Sequence, residues 1–200
     1  MATPTSKDLD RLAADVVLGI DQFLFDQKII DTILDTYRKV CRSDSTRRLD
    51  VLEKTITDEM VLRLRFECLC FSVFLACLQS SKYLSNQESI ELFGSAIAAA
   101  LIVHSKNTGM SKLHEITLVA IEPEITFGFG EPVDPLDRLE EYRTSLVNAQ
   151  GSEVEHFGKW VGKALDPPNY PLFEIIGWNF GETLLHLSGA VMTYVSAGQR

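Results

Sequence analysis

The sequence predicts an all-α fold: an irregular multi-helix bundle of about six to eight helices around one central apolar helix. Three observations predict it. Met60–Leu78, MVLRLRFECLCFSVFLACL, is apolar on every side of a helical wheel and carries no charge between Glu67 and Lys82. A helix of that kind is surrounded by others. Leu172–Ser196 is a second long apolar stretch. Elsewhere apolar residues recur three and four apart, as at Leu9, Leu12, Val16, Ile20 and Leu24, which is helical spacing.

The elements follow in order. Residues 1–5 read as a disordered tail. Thr5 or Ser6 caps a first helix, with Asp8 and Asp10 where the positive end of the dipole favours them. The cluster Phe23-Leu24-Phe25 breaks the one-sided pattern, so a junction is expected near Asp26, which would cap a second helix ending about Cys41; one long helix is the alternative. Arg42–Thr46 reads as a turn, and Leu49, Leu52 and Ile56 as a short helix. Thr57, followed by Asp58 and Glu59, starts the central helix, expected to reach about Lys82. Ser85 or Asn86 caps the next, Gln87–Ser105, whose middle is GSAIAAALIV. Gly94 with Ala98, and Ala96 with Ala100, put small residues one turn apart, where another helix can approach closely.

Residues 111–130 are ambiguous. A short helix capped by Ser111, or an irregular segment, is favoured, because an isolated hairpin is marginal in water. The β-branched runs either side of Glu122-Pro123-Glu124 keep a short β excursion near 116–129 as the alternative. Asp134-Pro135 starts a charged, surface-facing helix to about Ala149. Ser152 caps a further helix to Ala164, with Phe157, Trp160, Val161 and Ala164 on one side. Asp166-Pro-Pro-Asn-Tyr-Pro171 stops it. The last helix, Leu172–Ser196, carries Gly177, Gly181, Ser188 and Gly189 in one stripe. Each interior glycine costs on the order of 1 kcal/mol, which points to close packing. The expected central pair is Met60–Leu78 with Leu172–Ser196, and Gln87–Ser105 lies close against one of them.

The whole, residues 1–200, reads as a single helical domain, long enough to bury a sizeable core without disulfides or structural metal. The composition is ordinary, 46% hydrophobic and 24% charged. A net charge of −9 argues against nucleic acid, whose phosphates require a clustered basic surface. Over half of that charge lies in residues 111–165, with five basic against ten acidic residues, and reads as a solvated face. The N-terminal residues lack the apolar core of a signal peptide. No segment is expected to span a membrane, and a cytoplasmic location with reduced thiols is the default.

The chemistry-bearing residues are sparse. Cys68, Cys70 and Cys77 on one helix can neither bridge nor share a zinc ion, since Cys68 and Cys70 diverge and Cys70 and Cys77 stand about 10 Å apart along the axis. They read as small core residues, and Cys41 as the more accessible thiol. Arg63 and Glu67, one turn apart, are expected to pair where the central helix enters the core. Glu153 and His156 lie on one face, as in carboxylate-bridged metal bundles, but no second such motif occurs. They read as a solvated pair, and His186 as a core histidine. There is no phosphate loop and no nucleophile elbow, so no catalytic, metal or cofactor-binding residue is assigned.

The expected function is a non-enzymatic interaction or assembly protein, a homo-oligomer or one with a protein partner, using the small-residue faces of the 94–100 or 177–189 helices. The second reading is a binder of a small apolar ligand in an aromatic-lined pocket. Trp160, Gly177, Trp178, Gly181 and His186 are the residues singled out for that pocket or for an interface. The third is a metal-dependent enzyme using Glu153 and His156.

Overall fold

The computed structural model describes residues 4–43, 56–121, 124–147 and 153–198. The first three residues of the expected tail, the short helix about Leu49 and Leu52, the turn at Glu122–Pro123 and the Ser152 cap lie outside the described residues. Seven α-helices and one β-hairpin make up the described chain: α1 (Ser6–Asp26), α2 (Ile29–Ser43), α3 (Asp58–Gln79), α4 (Gln87–Asn107), β1 (His114–Ile121), β2 (Glu124–Pro132), α5 (Pro135–Val147), α6 (Glu153–Leu165) and α7 (Glu174–Gly198). Short 3-10 turns follow α3 and α4 and link α6 to α7.

α3 is the axis. It touches all six other α-helices, and every residue from Phe66 to Ala76 is buried. The seal ends one turn early: Cys77 is half-buried and Leu78 is 45% exposed. The floor of the core is aromatic. Phe71 stacks on Phe157 at 4.4 Å between ring centroids, with Tyr142 5.2 Å away, and such pairs add about 0.5–1.5 kcal/mol beyond area burial.

Local chemistry sets the ends. Thr5 and Asp8 form a reciprocal capping box on α1, Thr57 caps α3 and Asn86 caps α4. The α1–α2 junction falls where the aromatic cluster places it, but its device is not an Asp26 cap. Lys28 takes a left-handed conformation, φ 51°, and α2 restarts at Ile29 with Thr32 bonding back to the Lys28 carbonyl.

Two neighbour relations differ from expectation. α4 lies chiefly along α1 and only lightly on α3, and the most extensive helix pair is α6 with α7. α7 does pack on α3, where Ser188 donates to the Ser72 carbonyl at 2.9 Å.

Residues 114–132 form an antiparallel hairpin, not the helix or irregular segment favoured from sequence. Its β-branched residues decide locally, and the body supplies what an isolated hairpin lacks. Arg63 Nη1 donates to the His114 carbonyl at 2.7 Å, the Val133 amide closes onto the Leu113 carbonyl, and Ile116 is buried. α5 also departs from its expected surface character, because Arg138 and Tyr142 are 1% and 0% exposed.

Candidate functional site

Two places on the molecule need more than packing to explain them: a buried charge cluster where α3, α5, α6 and β1 meet, and the outer face of α4.

The cluster centres on Arg138. Its Nε lies 3.0 Å from Glu67 Oε2, its Nη2 3.0 Å from Glu115 Oε1 and its Nη1 2.6 Å from Glu141 Oε2. The guanidinium sits 3.3 Å from the centroid of the Trp160 ring, a cation–π contact. One side chain thus ties together four elements. Arg63, expected to pair with Glu67, instead bonds Glu59 at 2.9 Å and the hairpin backbone. Burial pushes the Glu67 carboxyl up to about 7 although Arg138 opposes the shift.

A second tie, Asp21 on α1, binds Arg65 of α3 through both carboxylate oxygens and His104 Nε2 of α4 at 2.8 Å. Burial opposes ionisation of Asp21, but the bonds from His104 and Arg65 outweigh it and hold its carboxyl at about 2. The two carboxyls bend stability in opposite directions. Asp21, lowered from 3.8, contributes stability that is lost as pH falls through about 4 towards 2. Glu67, raised from 4.5, binds its proton more tightly when folded, so its contribution is lost as pH rises from about 4.5 through 7. Chemical denaturation across pH is therefore expected to show greatest stability between about pH 4 and 5. Glu67→Gln should flatten the neutral limb and Asp21→Asn the acid limb; unchanged limbs would refute these assignments.

The second place is α4. It has no Asp, Glu, Lys or Arg between Glu91 and Lys106, and by length and composition it is the one helix among the described residues that could cross a membrane. That corrects the expectation that no segment is long enough. Its buried residues form a single stripe, Ser89, Phe93, Ile97, Leu101 and Ser105, flanked by half-buried Ile90, Gly94, Ala96, Ala98, Ala100 and Ile102. Leu92, Ser95, Ala99 and Val103 form an outward stripe, with Val103 58% exposed. Beside it a groove of about 400 Å³ runs against α1, lined by Ala14, Leu18, Ala96, Ala99, Ala100 and Val103 among others. Leu18, 56% exposed, is also a wall of the next cleft, about 660 Å³ between α1 and α7, which Gly19, Phe23, Val191, Tyr194 and Val195 help to line.

The five residues singled out from sequence are divided among separate places. Gly177 and Gly181 face α6: a Cβ on Gly177 would stand 2.6 Å from the Gly158 Cα, and one on Gly181 2.7 Å from Val154 Cγ1. Trp178, 41% exposed, lays its ring against Gly158. Trp160 belongs to the Arg138 cluster. His186 is exposed, not a core histidine. The 177–181 part of the glycine stripe is thus filled from within the chain. Glu153 and His156 find no third donor: among the described residues no group of three or more His, Cys, Asp or Glu could hold a metal ion. His156 Nε2 points instead to Glu141 Oε2 at 3.7 Å. Cys68 and Cys70 are core residues whose thiols burial pushes far up, and Cys77 is pushed up to about 12. Cys41 is 1% exposed rather than accessible.

Sequence reasoning missed Arg138 and Asp21. The signal for the first was Glu67: a carboxylate inside a helix buried on all sides requires a cationic partner, and Arg63 was only the nearest in sequence. Comparison with protein-family models, with curated protein sequences and with solved structures finds no match to this chain.

Proposed function

We propose that the protein is a homo-oligomeric assembly protein whose subunits meet through the outer face of α4. One observation carries this reading: α4 has no Asp, Glu, Lys or Arg between Glu91 and Lys106, yet it is fully buried along a single stripe and leaves Leu92, Ser95, Ala99 and Val103 exposed, whereas α3, of comparable character, is sealed from Phe66 to Ala76. Helices of that kind are stable when surrounded. A second copy suits the gap. A chain of net charge −9 repels its copy over most of its surface, and the face from Leu92 to Val103 carries no charge. Its small residues allow helix axes to approach within about 8–10 Å, and a Cβ on Gly94 would meet nothing within 4 Å. A two-fold contact pairs this patch with itself. The Leu18 ridge and the α1–α4 groove extend it towards the roughly 800 Å² per partner of a stable interface.

Native mass spectrometry of the full chain at micromolar concentration is expected to give a dimer mass. Ala99→Glu, which sets like charges face to face, should give a monomer with unchanged circular dichroism. A monomeric wild type would overturn the reading. The α1–α7 cleft supports the apolar-ligand reading as the second one, since its 660 Å³ falls in the range of ligand sites. The same spectra test it, because a bound molecule adds its mass to either species.

A further inference from the structure

We propose that the cleft between α5 and α6 binds a small zwitterion of the amino-acid or short-peptide class, its ammonium towards α5 and its carboxylate towards α6. The cleft measures about 700 Å³, again the size of small-molecule sites. Its walls are two helix faces of opposite sign. α5 presents Asp137, Glu140 and Glu141, and α6 presents His156, Lys159 and Lys163.

Each wall gathers like charges at three- and four-residue spacing, which a helix disfavours. The walls nonetheless do not close on each other. The one ion-pair approach across the gap among the described residues is His156 Nε2 to Glu141 Oε2 at 3.7 Å. Among the described residues Asp137, Lys159 and Lys163 have no ion-pair partner within 4 Å. The Lys163 ammonium is held 4.0 Å from the Trp160 ring centroid, and Arg138 steadies that ring at 3.3 Å. Lys163 is therefore held on the wall by that ring. His156 and Trp160, both half-buried on that wall, line the cleft beside them, with His156 turned to Glu141.

The charge pattern chooses the ligand. Glu140 is paired with Arg143 at 3.6 Å and Glu141 with Arg138 at 2.6 Å on their own helix. The charges left open are therefore Asp137 on one wall and Lys159 and Lys163 on the other. A simple anion drawn to the lysines would face Asp137, and a simple cation drawn to Asp137 would face two ammonium groups. A molecule carrying both charges satisfies both walls, and hydroxyls of Thr144 and Ser145 line the same space for its peptide groups.

Isothermal titration of the full chain with glycine, diglycine and triglycine, which spread the two charges progressively, tests this. Citrate and spermidine serve as the single-sign controls. At least one of the three zwitterions is expected to bind with a dissociation constant of about 1 mM or tighter. The double variant Lys159→Glu/Lys163→Glu should weaken it roughly tenfold or more, and Asp137→Lys on the opposite wall should do the same, each with wild-type circular dichroism. No heat from any of the three at about 10 mM, equal or tighter binding of citrate or spermidine, or affinity unchanged by charge reversal on either wall would overturn the proposal.

Discussion

Replacing Arg138 by Met is expected to destabilise the protein by about 3–5 kcal/mol near pH 8, the cost of leaving a buried carboxylate without its partner. Arg138 and Glu67 are both 1% exposed, so water cannot replace the lost guanidinium at Glu67. Glu115 and Glu141, with side chains 30% and 42% exposed, can rehydrate and contribute less. The double variant Glu67→Leu/Arg138→Met removes the orphaned charge as well as its partner. It should recover most of the loss, because a buried ion pair is often no better than apolar residues of similar volume. The single variant has a further signature. Its deficit should shrink as pH falls towards 5, where Glu67 accepts a proton and the buried charge disappears. Urea unfolding of the three proteins at pH 8 and pH 5 measures all of this. A loss under about 1 kcal/mol at pH 8, or a deficit independent of pH, would show that Glu67 has another way to be neutralised.

The all-helical bundle and its central helix were legible because they rest on one-dimensional signals. A charge-free run apolar on every side is helical and wants a cover, and caps such as Thr57 and Asn86 act within one turn of sequence. What stayed hidden depends on distant partners. The hairpin near 116–129 stands in the sequence only as the alternative reading, because its support comes from outside itself, namely from Arg63, Leu113 and Val133. α5 reads as a surface helix from its charge content, which does not say where each charge points, yet Arg138 turns inward to a glutamate on α3. The Arg63–Glu67 pair was inferred from spacing, but that spacing only permits contact, and each residue found a better partner. α4 shows the same limit in reverse. Its composition resembles that of α3, and nothing in the string of residues says that one is enclosed by six helices while the other lies along the edge of the bundle.

Glycine on apolar helices illustrates how far tertiary context governs a substitution, and it gives the second large effect. Gly177→Val is expected to cost about 3 kcal/mol, the upper part of the range for overpacking. The new Cβ would stand 2.6 Å from the Gly158 Cα and 3.0 Å from Val161 Cβ. The first of these is backbone, which cannot turn away as a side chain can. The valine methyls add to the clash, so α6 and α7 must move apart along the most extensive helix contact in the molecule. Gly94→Ala has the opposite sign. Its Cβ meets nothing within 4 Å, and alanine is favoured over glycine inside a helix by about 1 kcal/mol. For a domain of this size each kcal/mol moves the melting temperature by about 2–4 °C. Gly177→Val should therefore melt roughly 6–12 °C lower and Gly94→Ala a few degrees higher. Measuring both in the Ala99→Glu background removes any contribution from contact between subunits at α4. If Gly177→Val melts with its parent, α6 and α7 are not in direct backbone contact and the close approach assigned to that pair is wrong. If Gly94→Ala is destabilised in that background, the outer face of α4 is already occupied by this chain, and the surface offered to a second copy is not there.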